Sequence, residues 1–237
     1  MEKIQKNYRI AEVDFSMAFH GTYTPKMCAD YEADVNPMFH IEVSEAEIER
    51  ERNVGEEHFS NAYLESLAVY RKLCEKMLDY DCFLFHCSAI ALDGKAYLFA
   101  APSGTGKSTH TRLWREVFGN RAVMINDDKP LIQVREDEIY VCGTPWSGKH
   151  GLNTNQKAPI QGICILERGS ENCVEQISKV EGFFELHKQT YRPSEREQMQ
   201  KTISLLKQLI ERIPIYRMQC NISEQAVDVA WNAMKPR

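Results

Sequence analysis

The 237-residue sequence contains no apolar run long enough to cross a membrane and no apolar signal-peptide core near its amino terminus. It also lacks an excess of positive charge, because 29 Lys and Arg residues stand against 34 Asp and Glu residues, for a formal net charge of −5. Such a balance gives no electrostatic reason to bind nucleic acid or an anionic membrane. The sequence therefore predicts a cytoplasmic protein that binds neither, and it leaves open whether the chain forms a homo-oligomer.

Cys-x-x-Cys pairs and clustered Cys/His spacings are also missing, although the chain has eight cysteines. Without such spacings, neither a zinc site nor a redox pair is indicated. Cys82, Cys87, Cys142 and Cys164 lie in apolar, strand-like stretches. We therefore expect reduced thiols that are mostly buried and behave as small hydrophobic groups.

The length suits one domain, or one domain with an appended lobe. In residues 1–80, short strands are predicted in "YRIAEVDFSMAF" (8–19) and "MFHIEVS" (38–44). The charge-rich segment 44–57 is expected to be a solvated helix or loop, and apolar spacing over 60–78 predicts a helix. Residues 1–80 are therefore predicted to form a small amino-terminal α+β lobe, and residues 81–237 a separate domain.

The predicted domain 81–237 alternates between strand-like and helical stretches that are joined mostly by hairpins. "CFLFHCSAIAL" (82–92) is predicted as one strand, and Asp93-Gly94 as a tight turn into "KAYLFAA". Further strand-like stretches flank helices predicted at 181–190 and 195–212. This pattern indicates an α/β fold with a mixed, largely antiparallel sheet flanked by helices.

A glycine-rich stretch, "APSGTGKS" (101–108), joins the strand-like "KAYLFAA" to an amphipathic stretch. It matches the phosphate-binding loop (P-loop) pattern, with Ala101 in place of the first glycine. Small residues let successive backbone N–H groups face an anion, and the helix that follows points its positive end at the same place. The alternative is a glycine-rich turn that only links a strand to a helix. The residues predicted to contact the nucleotide are Ser103, Gly104, Thr105, Gly106, Lys107, Ser108 and Thr109.

The loop alone does not separate a hydrolase, a kinase and a nucleotide-gated switch. "NQKAP" (155–159) is not an Asn-Lys-x-Asp guanine reader, so an adenine nucleotide, ATP, is the default expectation. In the P-loop pattern Lys107 reaches the β- and γ-phosphates and the Ser108 hydroxyl binds Mg²⁺.

Two adjacent carboxylates, Asp127 and Asp128, follow the apolar stretch "AVMIN". Adjacent carboxylates are costly to hold together unless a cation or a proton lies between them. One division of labour assigns Asp128 to Mg²⁺ and Asp127 to accepting a proton from a hydroxyl group. The alternative is a solvated turn, because "NDDKP" is rich in turn-forming residues.

The stretch "HCSAIALDGKAYLFAAPSGTGKST", together with "NDDKPLIQV", resembles the catalytic core of HPr kinase/phosphorylase and its relatives, which are structurally akin to the ATP-dependent phosphoenolpyruvate carboxykinases. The similarity covers roughly residues 82–166. It implies a P-loop kinase domain in which Asp127 is the general base for a serine hydroxyl, Asp128 helps to hold Mg²⁺, and His86 lies beside the phosphates. Residues 1–80 do not resemble the amino-terminal domain of the bifunctional HPr enzymes, so HPr itself is not implied as the substrate.

Outside these motifs, Lys149 lies in the polar connection 143–157 and is expected to supply positive charge over the transferred group, or else to belong to an ordinary surface loop. His110 is expected on the surface of the helix after the glycine loop.

The sequence supports three functional hypotheses. The first is an ATP- and Mg²⁺-dependent kinase acting on serine of a peptide or small protein, and the second is a kinase of a small-molecule hydroxyl such as a free hydroxy amino acid. The third is a non-catalytic nucleotide-binding switch that gates a partner protein.

Overall fold

The computed structural model describes residues 3–52 and 59–236. The chain forms two structural units, with the boundary between Tyr80 and Asp81. The smaller unit contains strands β1 (Ile4–Ile10), β2 (Val13–Phe19) and β3 (Phe39–Ile41) and helices α1 (Tyr23–Met27), α2 (Glu45–Arg52) and α3 (Asn61–Met77). β2 pairs antiparallel with β1 and parallel with β3.

The prediction of a single strand over 8–19 is wrong, because the chain reverses direction within it. Ala11 and Glu12 have φ angles of 53° and 62°, which make the tight turn of a β1–β2 hairpin. Left-handed backbone at two adjacent non-glycine residues is uncommon, so local composition gave no indication of this turn.

Helix α3 confirms the helix predicted over 60–78. Ser60 is its N-cap, and the Ser60 hydroxyl accepts a hydrogen bond from the Tyr63 N–H. Leu64, Leu73 and Met77 are buried on one face. The charged segment predicted over 44–57 is helical in α2 as far as Arg52, and residues 53–58 lie outside the described part of the chain.

The larger unit is a mixed α/β structure in which helices flank one mixed sheet. Its strands are β4 (Cys82–Leu84), β5 (Ser88–Leu92), β6 (Lys95–Ala100), β7 (Ala122–Asn126), β8 (Leu131–Val134), β9 (Ile139–Cys142), β10 (Lys157–Arg168), β11 (Cys173–Gln176) and β12 (Ile215–Cys220). Its helices are α4 (Lys107–Phe118), α5 (Lys179–Gln189), α6 (Arg196–Arg212) and α7 (Glu224–Met234). The strand order is β4-β8-β9-β10-β6-β5-β7, with β12 beside β10 and β11 beside β12.

β10 is the long strand that connects the antiparallel and parallel parts of this sheet. One edge of β10 pairs in parallel with β6, while the other edge pairs first with β9 and then, in parallel, with β12. The carboxyl ends of β6, β10 and β12 therefore lie along the same edge of the sheet. In open α/β sheets this is the edge at which ligands bind.

Residues 82–92 do not form the single strand that was predicted. β4 pairs with β8, whereas β5 pairs with β6 and β7, and three residues separate the two strands. The N–H groups of Phe85 and Cys87 donate to Pro130 and Asp128 in the segment after β7, whereas the His86 N–H donates to Gln189 at the end of α5. Strand pairing cannot continue through this break, and the break places His86 and Ser88 beside the acidic pair.

Trp114 lies at the centre of the core that α4 and α7 form against the sheet. It is fully buried, and its ring centroid lies 5.1 Å from that of Tyr97 and 5.3 Å from that of Phe99. Trp231 of α7 contacts the same cluster. This packing fixes α4, and with it the helix start that follows the glycine loop.

The expectation of mostly buried thiols is confirmed: no disulfide joins the eight cysteines, all of which lie in the described residues, and all but Cys173 and Cys220 are buried. Within residues 3–52 and 59–236, the helices lack the combination of length and apolarity that spanning a bilayer requires.

Candidate functional site

The glycine loop leaves the carboxyl end of β6 and enters α4 at Lys107. Gly104 and Gly106 have φ angles of 78° and 128°, which non-glycine residues rarely adopt. Gly106 is the N-cap of α4, and its carbonyl accepts the His110 N–H at 2.9 Å. The first N–H groups of α4 therefore face the loop without partners from their own helix, which is the arrangement that favours an anion.

Lys107 is buried, and its Nζ donates a 2.9 Å hydrogen bond to the carbonyl oxygen of Ala101 at the start of the loop. Burial lowers the pKa of Lys107, and this outweighs the negative charges of Asp128 and Asp127, which act in the opposite direction. The ammonium group is therefore close enough to the acidic pair to interact with both carboxylates. The Lys107 ammonium group could exchange its hydrogen bond to the Ala101 carbonyl for one to a bound phosphate.

Asp127 is only 5% exposed, and one of its two carboxylate oxygens accepts a short hydrogen bond. Ser88 Oγ donates to Asp127 Oδ1 at 2.6 Å, and the Asp127 N–H donates to the Leu152 carbonyl at 3.1 Å. Ser88 in turn lies 2.9 Å from the hydroxyl of Thr111 on α4. Among the described residues, none donates a hydrogen bond to Asp127 Oδ2, so this oxygen is the one left for another group.

Asp128 is the more accessible carboxylate and has a histidine and a lysine beside it. His86 Nε2 lies 3.1 Å from Asp128 Oδ1, and Lys129 Nζ lies 3.7 Å from Oδ2. Burial acts to raise the pKa of Asp128, but the His86 hydrogen bond and the charges of Lys129, His86 and Lys107 together hold it below its ordinary value. Asp128 is therefore ionised at neutral pH, as a ligand for a hard cation must be.

His86 is oriented from both sides of its ring. The ring nitrogen Nδ1 lies 3.1 Å from Gln189 Oε1 at the end of α5, and the backbone N–H of His86 donates to the Gln189 carbonyl at 2.8 Å. These contacts connect residues 103 positions apart in sequence. The ring that faces Asp128 is consequently fixed by α5.

A turn does follow β7, as the solvated-turn alternative predicted, but it is held tightly. Asn126 is fully buried, and its side-chain oxygen accepts the N–H groups of Asp128 and Lys129, each at 2.8 Å. Its amide nitrogen donates to the Thr144 carbonyl at 2.8 Å. Asn126 therefore connects the acidic pair to the start of the connection 143–157.

The connection 143–157 lies along the acidic pair. Gly148, with a φ angle of 74°, lies so close to Asp128 that a Cβ at Gly148 would be 3.2 Å from the Asp128 Cβ. Trp146 is buried in the same connection. Lys149 comes directly after Gly148 and is exposed.

A cleft of about 480 Å³ opens on the other side of the glycine loop, at the carboxyl ends of β10 and β12. It is lined by Gly104, Thr105, Gly106, Thr109, His110, Leu113, Leu166, Glu167, Arg168, Gly169, Cys220, Asn221 and Ile222. Arg168 donates to the carbonyl oxygens of Gly104 and Thr105, at 2.5 and 3.3 Å, and so fastens the loop to the end of β10.

The structure brings Lys107, Asp127, Asp128 and His86 into one corner. Of the other predicted contact residues, Ser103 and Gly104 are exposed, while Thr105, Gly106, Ser108 and Thr109 are half-buried. Sequence analysis missed Ser88, Thr111, Gln189 and Arg168, whose partners lie between 23 and 103 positions away. A small polar residue within an apolar strand, Ser88, was the available indication.

His110 does not lie on the helix surface as expected. It is 3% exposed, its ring centroid lies 4.5 Å from that of Phe99, and its Nε2 accepts a 3.1 Å hydrogen bond from Trp114 Nε1. Burial lowers the pKa of His110 to about 4. The face of α4 that carries it packs on the sheet, which the polar character of histidine did not suggest.

No His, Cys, Asp and Glu side chains in the described ranges form a group of three or more that could hold a metal. The donor set nevertheless fits Mg²⁺ of the type that is completed by phosphate oxygens, because the Ser108 hydroxyl and the Asp128 carboxylate are hard oxygen donors.

No protein-family model matches the sequence, and no curated protein matches it significantly. Among solved structures, the HPr(Ser) kinase/phosphatase from Coxiella burnetii is similar over 62% of this chain and 91% of its own, at 8% identity and a TM-score of 0.37. A similarity this slight carries no argument about function, which must be argued from the site.

Proposed function

We propose that this chain is an ATP- and Mg²⁺-dependent kinase that transfers the γ-phosphoryl group to a hydroxyl group, the serine side chain of a peptide or small protein. One observation carries the proposal: Lys107, at the junction of the glycine loop and α4, is buried, and the negative charges of both Asp128 and Asp127 act on its pKa. Phosphoryl transfer uses this combination of anion-binding backbone, a cationic side chain and adjacent carboxylates.

The phosphates would lie on the N–H groups between Gly104 and the first turn of α4, with Lys107 against the β- and γ-phosphates. Ser108 and Asp128 would hold Mg²⁺, which when bound neutralises charge on the phosphates. His86 would act through Asp128, since it fixes the carboxylate that faces the metal. Lys149 would add positive charge from the connection 143–157.

Asp127 would accept the proton of the attacking hydroxyl group. Its Oδ1 is held by Ser88, which supports Oδ2 as the proton acceptor. The hydroxyl proton moves to Oδ2, the acceptor oxygen forms a bond to the γ-phosphorus, and the bond to the β–γ bridging oxygen breaks to release ADP. Catalysis would consist mainly of positioning and charge neutralisation.

The test is phosphoryl transfer from γ-labelled ATP into a lysate of the source organism, comparing the wild type with Asp127→Asn. The amide oxygen that this substitution introduces can still accept the Ser88 hydrogen bond, so the change removes the base while it preserves the packing. Asp137→Asn, an equally isosteric change at an exposed carboxylate in the β8–β9 turn, is the matched control.

A labelled peptide or protein that forms with the wild type and Asp137→Asn, but not with Asp127→Asn, would support the proposal. A labelled small molecule would move the assignment to a small-molecule hydroxyl kinase with the same chemistry. If no product forms although calorimetry shows ATP binding to all three proteins, the kinase proposal is wrong and a nucleotide-gated switch takes its place.

A further inference from the structure

The cleft between the glycine loop and the ends of β10 and β12 is not used by the chemistry proposed above, which lies on the side of the acidic pair. Gly104, Thr105 and Gly106 of the glycine loop line this cleft. Its volume of about 480 Å³ lies within the range of small-molecule sites. Leu113, Leu166 and Ile222 supply apolar walls. Such walls suit a flat organic ring rather than a phosphate.

One polar side chain in this cleft has a hydrogen-bonding group without a protein partner in the described part of the chain. His110 is only 3% exposed, and its Nε2 accepts the Trp114 indole N–H at 3.1 Å. A neutral imidazole has one acceptor and one donor nitrogen, so this bond requires the proton of His110 to be on Nδ1.

The Nδ1–H donor that results has no acceptor among the described residues, and His110 is one of the residues that line the cleft. An acceptor atom of a ligand in the cleft would give this donor a partner. Phe99 packs against the ring at 4.5 Å, and Trp114 holds its other nitrogen. The donor is thus fixed both in orientation and in tautomer.

We propose that the cleft holds the purine and ribose of a nucleoside triphosphate whose phosphates lie on the glycine loop, and that His110 donates its Nδ1–H to a ring nitrogen of the purine. The inference rests on the proposed function, because it assumes that the loop binds phosphates. A purine has ring-nitrogen acceptors, N3 and N7, that adenine and guanine share. His110 would therefore recognise a purine without distinguishing ATP from GTP.

The experiment is calorimetry with three probes, ATP, GTP and inorganic tripolyphosphate, each in the presence of Mg²⁺. The proteins are the wild type, His110→Phe and His110→Gln. Phenylalanine keeps a ring of similar size but has no donor. Glutamine can accept from Trp114 with its oxygen and donate into the cleft with its nitrogen, so it is the matched control.

We expect His110→Phe to weaken ATP and GTP binding equally, by about tenfold, which corresponds to one lost hydrogen bond. Tripolyphosphate binding should be unchanged, and His110→Gln should retain most of the nucleotide affinity. If His110→Phe leaves ATP binding unchanged, or weakens tripolyphosphate to the same degree, the inference is wrong while phosphate binding by the loop stands. If neither ATP nor tripolyphosphate binds the wild type, the proposed function fails as well.

Because His110→Phe leaves the Trp114 N–H without an acceptor, a measurement on the wild type alone is also needed. Spectra of ¹⁵N-labelled histidine rings report which nitrogen carries the proton. The expected result is a neutral Nδ1–H ring at pH 7 whose Nδ1 signal shifts with ATP and not with tripolyphosphate. An Nε2–H tautomer in the free protein, or an Nδ1 signal that ATP leaves unchanged, would overturn the inference.

Discussion

Ser88 Oγ donates a 2.6 Å hydrogen bond to Asp127 Oδ1 within the buried part of the larger unit. Ser88 has one hydroxyl proton and gives it to Asp127, so the Thr111 hydroxyl, 2.9 Å away, is the donor to Ser88. Two hydroxyl groups thus connect the helix that follows the glycine loop to the carboxylate proposed as general base. Any displacement of α4 would be transmitted to Asp127 through this chain.

Ser88→Ala should lower kcat by about 10- to 100-fold, because a base that is displaced by a fraction of an ångström no longer meets the acceptor hydroxyl. The Kd for ATP should change less than twofold, since the two side-chain partners of Ser88, Thr111 and Asp127, lie outside the glycine loop. Ser66→Ala is the control, because this buried serine donates to the Tyr63 carbonyl in the other unit. Equal kcat values for the wild type and Ser88→Ala would contradict a positioning role.

Arg168→Met should weaken tripolyphosphate binding by roughly 3- to 10-fold, because the loop would lose the donor that fastens the Gly104 and Thr105 carbonyls and would have to be ordered by the ligand. Arg112→Met on the exposed side of α4 removes the same charge from a residue that pairs only with Glu116 among the described side chains. Calorimetry on both variants separates loop ordering from net charge, and losses of equal size would exclude the loop-ordering role.

Gly143→Ala should destabilise the larger unit more than Gly151→Ala. A Cβ at Gly143 would lie 1.8 Å from the Thr154 carbonyl oxygen, so the backbone itself must move, at a cost of about 1–3 kcal/mol or more. Gly151 has open space around it and only its φ angle of 61° opposes a side chain, for about 1–2 kcal/mol.

Urea unfolding followed by tryptophan fluorescence measures this difference in the larger unit alone, because Trp114, Trp146 and Trp231 all lie there. Gly143→Ala should also lower transferase activity, since residue 143 begins the connection that lies along Asp128. The packing described around Gly143 would be refuted if the two variants unfolded at the same urea concentration.

The stability of the larger unit should fall as the pH drops from about 6.5 to about 4, with His110 as one cause. Burial lowers the pKa of His110 from 6.5 to about 4, so in this window the unfolded chain binds a proton that the folded chain does not. The contribution is fully present above pH 6.5 and amounts to roughly 3 kcal/mol, lost progressively toward pH 4.

Glutamine at position 110 does not titrate. The unfolding free energy of the wild type minus that of His110→Gln should therefore fall by roughly 3 kcal/mol as the pH drops from about 6.5 to about 4. The comparison cancels the carboxylates, which titrate in both proteins. Parallel curves for the two proteins would show that His110 is solvated and that its burial is not as described.

Local patterns predicted the elements whose cause is local. The helix over 60–78, the Asp93-Gly94 hairpin and the strand-loop-helix order around Lys107 depend on residues within a few positions of one another. The prediction of one strand over 82–92 was wrong because the interruption depends on backbone partners at Pro130, Gln189 and Asp128. These partners are too distant in sequence for the local pattern of residues 82–92 to reveal them. The prediction for His110 was wrong for a related reason: hydrophobic periodicity shows which residues share a face of a helix, but not which other elements pack on that face.

By itself the sequence determined the candidate chemistry: small residues and a lysine at phosphate-binding spacing, and two carboxylates after a strand. Those properties belong to residue types and to their separation along the chain. Only the tertiary structure decided which carboxylate is buried against Ser88, which faces His86, and where Arg168 and His110 stand relative to the loop. The physical reason is that burial and hydrogen bonding depend on strand order and helix packing, which bring together side chains that are distant in sequence.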